Sequence, residues 1–205
     1  MENAVIQNIR RKITRGKFGE IFFISSFPKY DVEYVTKLLA QFEKEGLLAR
    51  VSKGVYVKPK KTRFGLLYPS TYELVTEIAK RDKAKVIPDG NAAANHLGFS
   101  TQVPVNSCYL TSGSSRKLMI GKRKVTLKHA APRYFAFRGQ LMPELVQALR
   151  SIGEDNITPE DERRISQLLI KAPEPETIEH DLLLAPVWMR QIIKKHQRKV
   201  NYEMD

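Results

Sequence analysis

Residues 31–58 read DVEYVTKLLAQFEKEGLLARVSKGVYVK, and this stretch leaves few folds open because it spells one amphipathic helix followed at once by a tight hairpin. Val32, Val35, Leu38, Leu39 and Phe42 recur at steps of three and four, which gathers them on one helical face and leaves Glu33, Tyr34, Lys37, Gln41 and Lys44 elsewhere. Asp31 suits the N-cap, where a carboxylate accepts free amide hydrogens, and Gly46 can take the left-handed conformation that closes a helix. Residues 47–52 and 55–57 are β-prone runs on either side of Lys53-Gly54, where glycine supplies the positive φ of a turn. Helix, hairpin and basic tip in this order predict a winged helix-turn-helix, whose second helix enters the major groove while the wing touches the backbone. A plain helix-hairpin within a mixed fold is the alternative.

The residues upstream complete that prediction. Val5, Ile6, Ile9 and Ile13 fall at helical spacing, and Arg10, Arg11, Lys12 and Arg15 lie in the last turns, where the helix dipole favours cations. Gly16 ends this first helix, residues 21–24 form a brief strand, and Ser25 or Ser26 caps a short second helix reaching Lys29 and Tyr30 with Phe27 in the core. The contact candidates for DNA are then the early-turn side chains Lys29, Tyr30, Glu33, Tyr34 and Lys37 and, on the wing, Lys53. Taken singly, each could equally be part of a solvated face. The run KPKKTRFG adds Lys58, Lys60, Lys61 and Arg63, and reads both as an arm that touches phosphate and as the junction between two domains. The expected layout is a winged helix over residues 1–60, a basic linker over 61–66 and an α+β domain over 67–205.

Charge agrees with a polyanionic partner. Lys and Arg number 35 against 22 Asp and Glu, giving +13 overall, and roughly +8 of this lies in the first 65 residues. Basic chains that bind no nucleic acid also exist. The lone cysteine, Cys108, excludes an intrachain disulfide and a thiolate-rich metal site. With no apolar run of signal-peptide or membrane-spanning length, the expected compartment is the cytoplasm.

Beyond the junction, Ser70 caps a helix carrying Tyr72, Leu74, Val75, Ile78 and Ala79. Residues 86–88 are extended, 92–97 form a compact alanine-rich helix closed by Gly98, and 99–104 are extended again. Strand-like pieces at 107–111, 117–120 and 124–129, with a turn at 121–123 and a possible fourth strand at 134–137, predict a small antiparallel sheet. Helices follow at 142–152, at 161–170 behind the cap Thr158-Pro159-Glu160, at 176–184, and at 187–200 with the basic cluster Lys194, Lys195, His196, Arg198 and Lys199. The fold class is therefore α+β with C-terminal helices.

No catalytic set assembles, and no enzyme, cofactor or metal is expected. His96, His129, His180 and His196 lack metal-ligand spacing, and Cys108 has no nucleophile elbow around it. Glu154-Asp155 and Glu160-Asp161-Glu162 could hold magnesium in a nuclease, but acids near helix starts simply complement the dipole. GSSRK, at residues 113–117, has the composition of a phosphate cradle without the P-loop spacing.

Three segments carry a family resemblance: KGVYVKP, YPSTYELVTEIA and IPDGNAAANHLGFSTQVPVNSCYLT. Over residues 1 to about 150 the chain resembles the AbiEi-like antitoxins of bacterial abortive-infection, type IV toxin-antitoxin systems. Residues 92–98 resemble that family's alanine-rich helix, with Leu97-Gly98 where many members have His-Gly-Leu, and residues 101–104 resemble its TQVP segment. The resemblance implies a winged-helix repressor of its own promoter whose second domain counteracts a nucleotidyltransferase toxin. Other readings are a winged-helix transcriptional regulator without antitoxin activity, an RNA-binding protein, or a nuclease.

Overall fold

Ile9 and Ile13, one turn apart, are the side chains that helix α1 (Glu2–Arg15) sends into a core, and both are buried in the computed structural model. The structure describes residues 2–63, 65–102, 106–120 and 123–204, with the side chains of these except at Glu2, Lys61 and 198–204. Strand β1 (Ile21–Phe23) follows and leads into one 3-10 turn at Ile24–Ser26, in place of the short helix expected to reach Lys29 and Tyr30. Pro28 is the cause: its ring disfavours the helical conformation in the residue before it, and Phe27 sits at φ −125°, ψ 55°. Phe27 still enters the core, its ring stacked 6.2 Å from that of Phe22.

Helix α2 (Val32–Lys44) has both ends fixed by local sequence. The Asp31 carboxylate accepts from the Tyr34 amide at 2.8 Å, satisfying a donor of the first turn. At the other end Gly46, at φ +72°, lets its own amide reach the Glu43 carbonyl at 2.9 Å and the Leu47 amide reach that of Phe42 at 3.0 Å. Val35, Leu38, Leu39 and Phe42 are buried as their spacing requires, but Val32, counted with them by periodicity, is 66% exposed in the first turn. Leu47 and Leu48 belong to the turn after α2, so strand β2 is shorter than expected (Ala49–Ser52) and forms a hairpin with β3 (Val55–Val57) around Lys53-Gly54. Strand β3 is central in an antiparallel sheet of order β1–β3–β2, with Phe22 opposite Tyr56.

The stretch read as a linker makes its own hydrogen bonds. Strands β4 (Lys60–Thr62) and β5 (Gly65–Leu67) pair antiparallel, and the Thr62 hydroxyl donates to the Gly65 carbonyl at 2.8 Å. These strands lie inside the first of two compact units, Met1–Ile78 with Leu118–Arg123; the second is Ala79–Lys117 with Lys124–Asp205. Helix α3 (Thr71–Arg81) spans the division and is opened by reciprocal bonds between Ser70 and Glu73, at 3.2 and 2.7 Å. Those bonds from Ser70 hold the Glu73 carboxyl below the usual range.

Strands β6 (Val86–Pro88), β7 (Ser107–Thr111), β8 (Arg116–Ile120) and β9 (Arg123–His129) form a sheet of order β6–β7–β9–β8. It is mixed, which corrects the antiparallel expectation: β7 and β9 run parallel, Tyr109 opposite Leu127. The chain places β8 on the edge before β9 returns between β8 and β7, and a parallel pair needs such a crossover. The fourth strand is β6, antiparallel to β7, whereas the segment expected as a strand near Tyr134 is a 3-10 turn, Pro132–Phe135. Pro132 opens that turn with a preset φ and no amide hydrogen to satisfy. Residues 103–105 of the expected extended segment, and Gly121 and Lys122 of the expected turn, lie outside the described residues.

Helix α4 (Gly90–His96) packs on α5 (Leu141–Ile152), where Ala93 and Ala94 permit close approach to Leu145 and Leu149. Helix α6 (Pro159–Ile170), capped by Thr158 and Asp161, buries Ile165 against the same core, as does α8 (Val187–Met204) with Met189 and Ile193. Helix α7 is only Ile178–Leu182, preceded by a 3-10 turn at Pro175–Thr177, and so is shorter than the spacing suggested. Its Asp181 is fully buried, accepting the Arg138 and Gly139 amides at 2.8 Å each and lying 2.9 Å from His180 Nδ1. The fold class is α+β, and among the described residues no helix is long and apolar enough to cross a membrane.

Candidate nucleic-acid interface

The face of α2 turned away from its core carries Val32, Glu33, Thr36, Lys37 and Lys44, all exposed, and Lys29 is exposed just before the helix. Glu33 and Lys37 are paired at 2.9 Å across one turn, both side chains largely in solvent. Such a pair contributes under about 1 kcal/mol, so it opens readily in favour of a stronger anion such as phosphate. The Thr36 hydroxyl donates to the Val32 carbonyl at 2.7 Å. Tyr30 and Tyr34 are half-buried and pack against the core of the first unit, so their rings serve that core first.

Lys53 is exposed at the tip of the β2–β3 hairpin, beside Gly54 at φ +70°. Lys58 has a different duty from its neighbours. Its ammonium donates to the Thr14 carbonyl at 2.6 Å and the Gly16 carbonyl at 2.8 Å, and sits 5.2 Å from the centroid of the Phe18 ring. It thereby satisfies carbonyls that the end of α1 leaves without helical partners. Lys60 and Arg63 are exposed, and the Lys61 side chain lies outside the described residues.

The cations of α1 divide in the same way. Arg10 donates to Glu45 at 2.7 Å and lies 4.7 Å from the Phe42 ring centroid; Lys12 donates to the Ser26 carbonyl at 2.6 Å and lies over Phe27. Hydrogen bonds from Gln41 and then Arg10 hold the Glu45 carboxyl below the usual range. Arg11 and Arg15 are exposed and, with Asn8, line an open cleft of ≈ 470 Å³. Sequence reasoning assigned both only to the helix dipole. The missed signal is their placement two residues beyond Ile9 and Ile13, which puts them on the opposite side of the helix.

Other chemistry-bearing groups have partners within the fold. His96 Nδ1 lies 2.7 Å from Glu144, whose carboxyl is pushed up by burial against the pull of that imidazole. His129 bonds to the Gly113 carbonyl and His196 to Ser166. Burial first, then Asp89, raises the pKa of the half-buried Cys108 thiol. In the GSSRK segment Ser115 accepts from the His129 amide and Arg116 pairs with Asp82. Glu160 pairs with Arg163, Asp161 closes the cap of α6, and among the described residues no three His, Cys, Asp or Glu side chains gather as a metal site.

Residues 8–178 match a family of unknown function, DUF6088. The chain belongs to that family. The DUF6088 span holds every contact candidate from Arg11 to Arg63 and ends at Ile178, before Asp181 and α8. No curated protein matches the chain closely enough to lend it a role.

Proposed function

We propose that the first unit is a winged helix that binds duplex DNA, with α2 in the major groove and the β2–β3 hairpin against the backbone. The observation that carries this reading is the succession α1, β1, α2, β2, β3 around one antiparallel sheet, with an outer face of α2 that no core residue covers. Lys29, Lys37 and Lys53 supply phosphate contacts, joined by Arg11 and Arg15. Val32 offers the first turn of α2 an apolar group of the kind that reads a thymine methyl. The formal charge of +13 favours the association at long range.

The test is binding of the full chain to the duplex upstream of its own coding sequence, across a series of salt concentrations. Lys37→Ala with Lys53→Ala removes two phosphate contacts, so the slope of log affinity against log salt should become shallower by about 1.8. An unchanged slope, or equal affinity for single-stranded nucleic acid, would reject the reading in favour of a less specific polyanion binder.

On the resemblance to AbiEi-like antitoxins, we further propose that this binding represses the chain's own promoter and that the second unit counteracts a nucleotidyltransferase toxin. The full chain carrying Lys37→Ala and Lys53→Ala should then lose repression of a promoter reporter while still relieving growth arrest by the nucleotidyltransferase encoded beside it. Failure of the unaltered chain to relieve arrest would leave a transcriptional regulator alone. Magnesium-dependent cleavage lost on changing Glu160 or Asp161 would point instead to a nuclease.

A further inference from the structure

The second unit contains a cleft in which two guanidiniums meet an aromatic ring and no carboxylate. It measures ≈ 330 Å³ and is walled by the 3-10 turn at Pro132–Phe135, by Val146, Gln147 and Arg150 of α5, and by the turn between α7 and α8. Tyr134 is at its centre of charge: the guanidinium carbons of Arg133 and Arg150 each lie 5.4 Å from its ring centroid, and Arg150 Nη1 donates to its hydroxyl at 3.2 Å. The phenol pKa is drawn down, chiefly by hydrogen bonding from Arg133 and further by the charge of Arg150, while burial opposes. Among the described residues neither guanidinium is paired with a carboxylate, and no acid lines the cleft. The Gln147 amide, Phe137 and Leu184 are also in the lining.

The walls are already built. Pro132 presets the turn, Lys85 donates to the Phe135 carbonyl at 3.2 Å, and Asp181 holds the Arg138 and Gly139 amides just beyond Phe137. Two positive forks around one aromatic ring, with apolar side chains beside them, match a ligand that brings two negative charges on one group and an organic portion. Arginine meets phosphate through paired, directional hydrogen bonds, and the volume is that of a small-molecule site. We propose that this cleft binds a phosphate monoester of mononucleotide size, its phosphate between Arg133 and Arg150 and its organic portion against Phe137 and Leu184. The site is independent of the DNA-binding reading.

Calorimetry on the full chain at about 0.15 M salt, which screens loose surface pairing, tests it with AMP, inorganic phosphate, adenosine and succinate. AMP should bind at one site per chain, inorganic phosphate roughly tenfold or more weaker because it lacks the organic portion, and adenosine and succinate should give no saturable heat. Arg133→Gln with Arg150→Gln, both at exposed positions, should weaken AMP by roughly 30-fold or more through the loss of two charge-assisted contacts. Leu184→Asp, which brings a carboxylate to the mouth, should do the same, and Lys37→Ala with Lys53→Ala should leave AMP affinity unchanged. The proposal is overturned if AMP gives no saturable heat, if its affinity survives the paired glutamine changes, or if adenosine or succinate binds as tightly.

Discussion

Alanine in place of Asp181 is expected to lower the free energy of unfolding by roughly 2–5 kcal/mol, because two buried backbone donors lose their acceptor at once. The carboxylate is fully buried and takes the Arg138 and Gly139 amides at 2.8 Å each, so truncation strands both where water has little access. A loss of that size is a large share of the 5–15 kcal/mol that stabilises a typical domain. Urea unfolding followed by Trp188 fluorescence measures it, since this is the single tryptophan of the chain and lies in α8 of the same unit. Asp181→Asn should fall between wild type and alanine, because one amide oxygen replaces two carboxylate oxygens. A change below about 1 kcal/mol for alanine would mean that the two amides find other acceptors.

Phe42→Ala is expected to cost roughly 3–5 kcal/mol in the first unit, the usual range for removing a fully buried ring. The ring also carries the Arg10 guanidinium 4.7 Å from its centroid, so the Arg10–Glu45 bond at 2.7 Å loses the surface on which it rests. Far-UV circular dichroism, which reads the helices of both units, should gain an earlier transition from the first unit, and duplex affinity should fall. The midpoint read by Trp188 should move much less, because the two units have separate buried clusters. Equal shifts in both signals would show that the units unfold as one.

What the sequence made legible is what short-range chemistry decides. Asp31 and Gly46 bound α2 because each acts on amides or carbonyls a few positions away, and the same holds for Ser70 with Glu73 and Thr158 with Asp161. Pro28 is equally local: by disfavouring the helical conformation at Phe27 it excludes the short second helix. Strand order lay beyond reach: residues 107–111 and 123–129 have the same β character whether they pair parallel or antiparallel, and only the path of β8 decides. Among the interface candidates, Lys58 looked equivalent to Lys60 and Lys61 because all three share one basic run. Its partners, the carbonyls of Thr14 and Gly16, are more than 40 residues away, and nothing in that run announces them. Val32 shows the converse limit, since periodicity says which side of a helix a residue occupies and not where the neighbouring core stops.

The bonds from Asp181 to Arg138 and Gly139 also set a timetable for the nascent chain. Their acceptor is made 42 residues after the Gly139 amide, an interval of about 2–8 s at ordinary rates of synthesis. Until then the segment after the Pro132–Phe135 turn has no internal acceptor for those two amides, and water must serve. Helix α5 can coil in that interval, since its hydrogen bonds are its own, but one wall of the cleft around Tyr134 waits for α7. The second unit therefore cannot complete that wall from its N-terminal part alone.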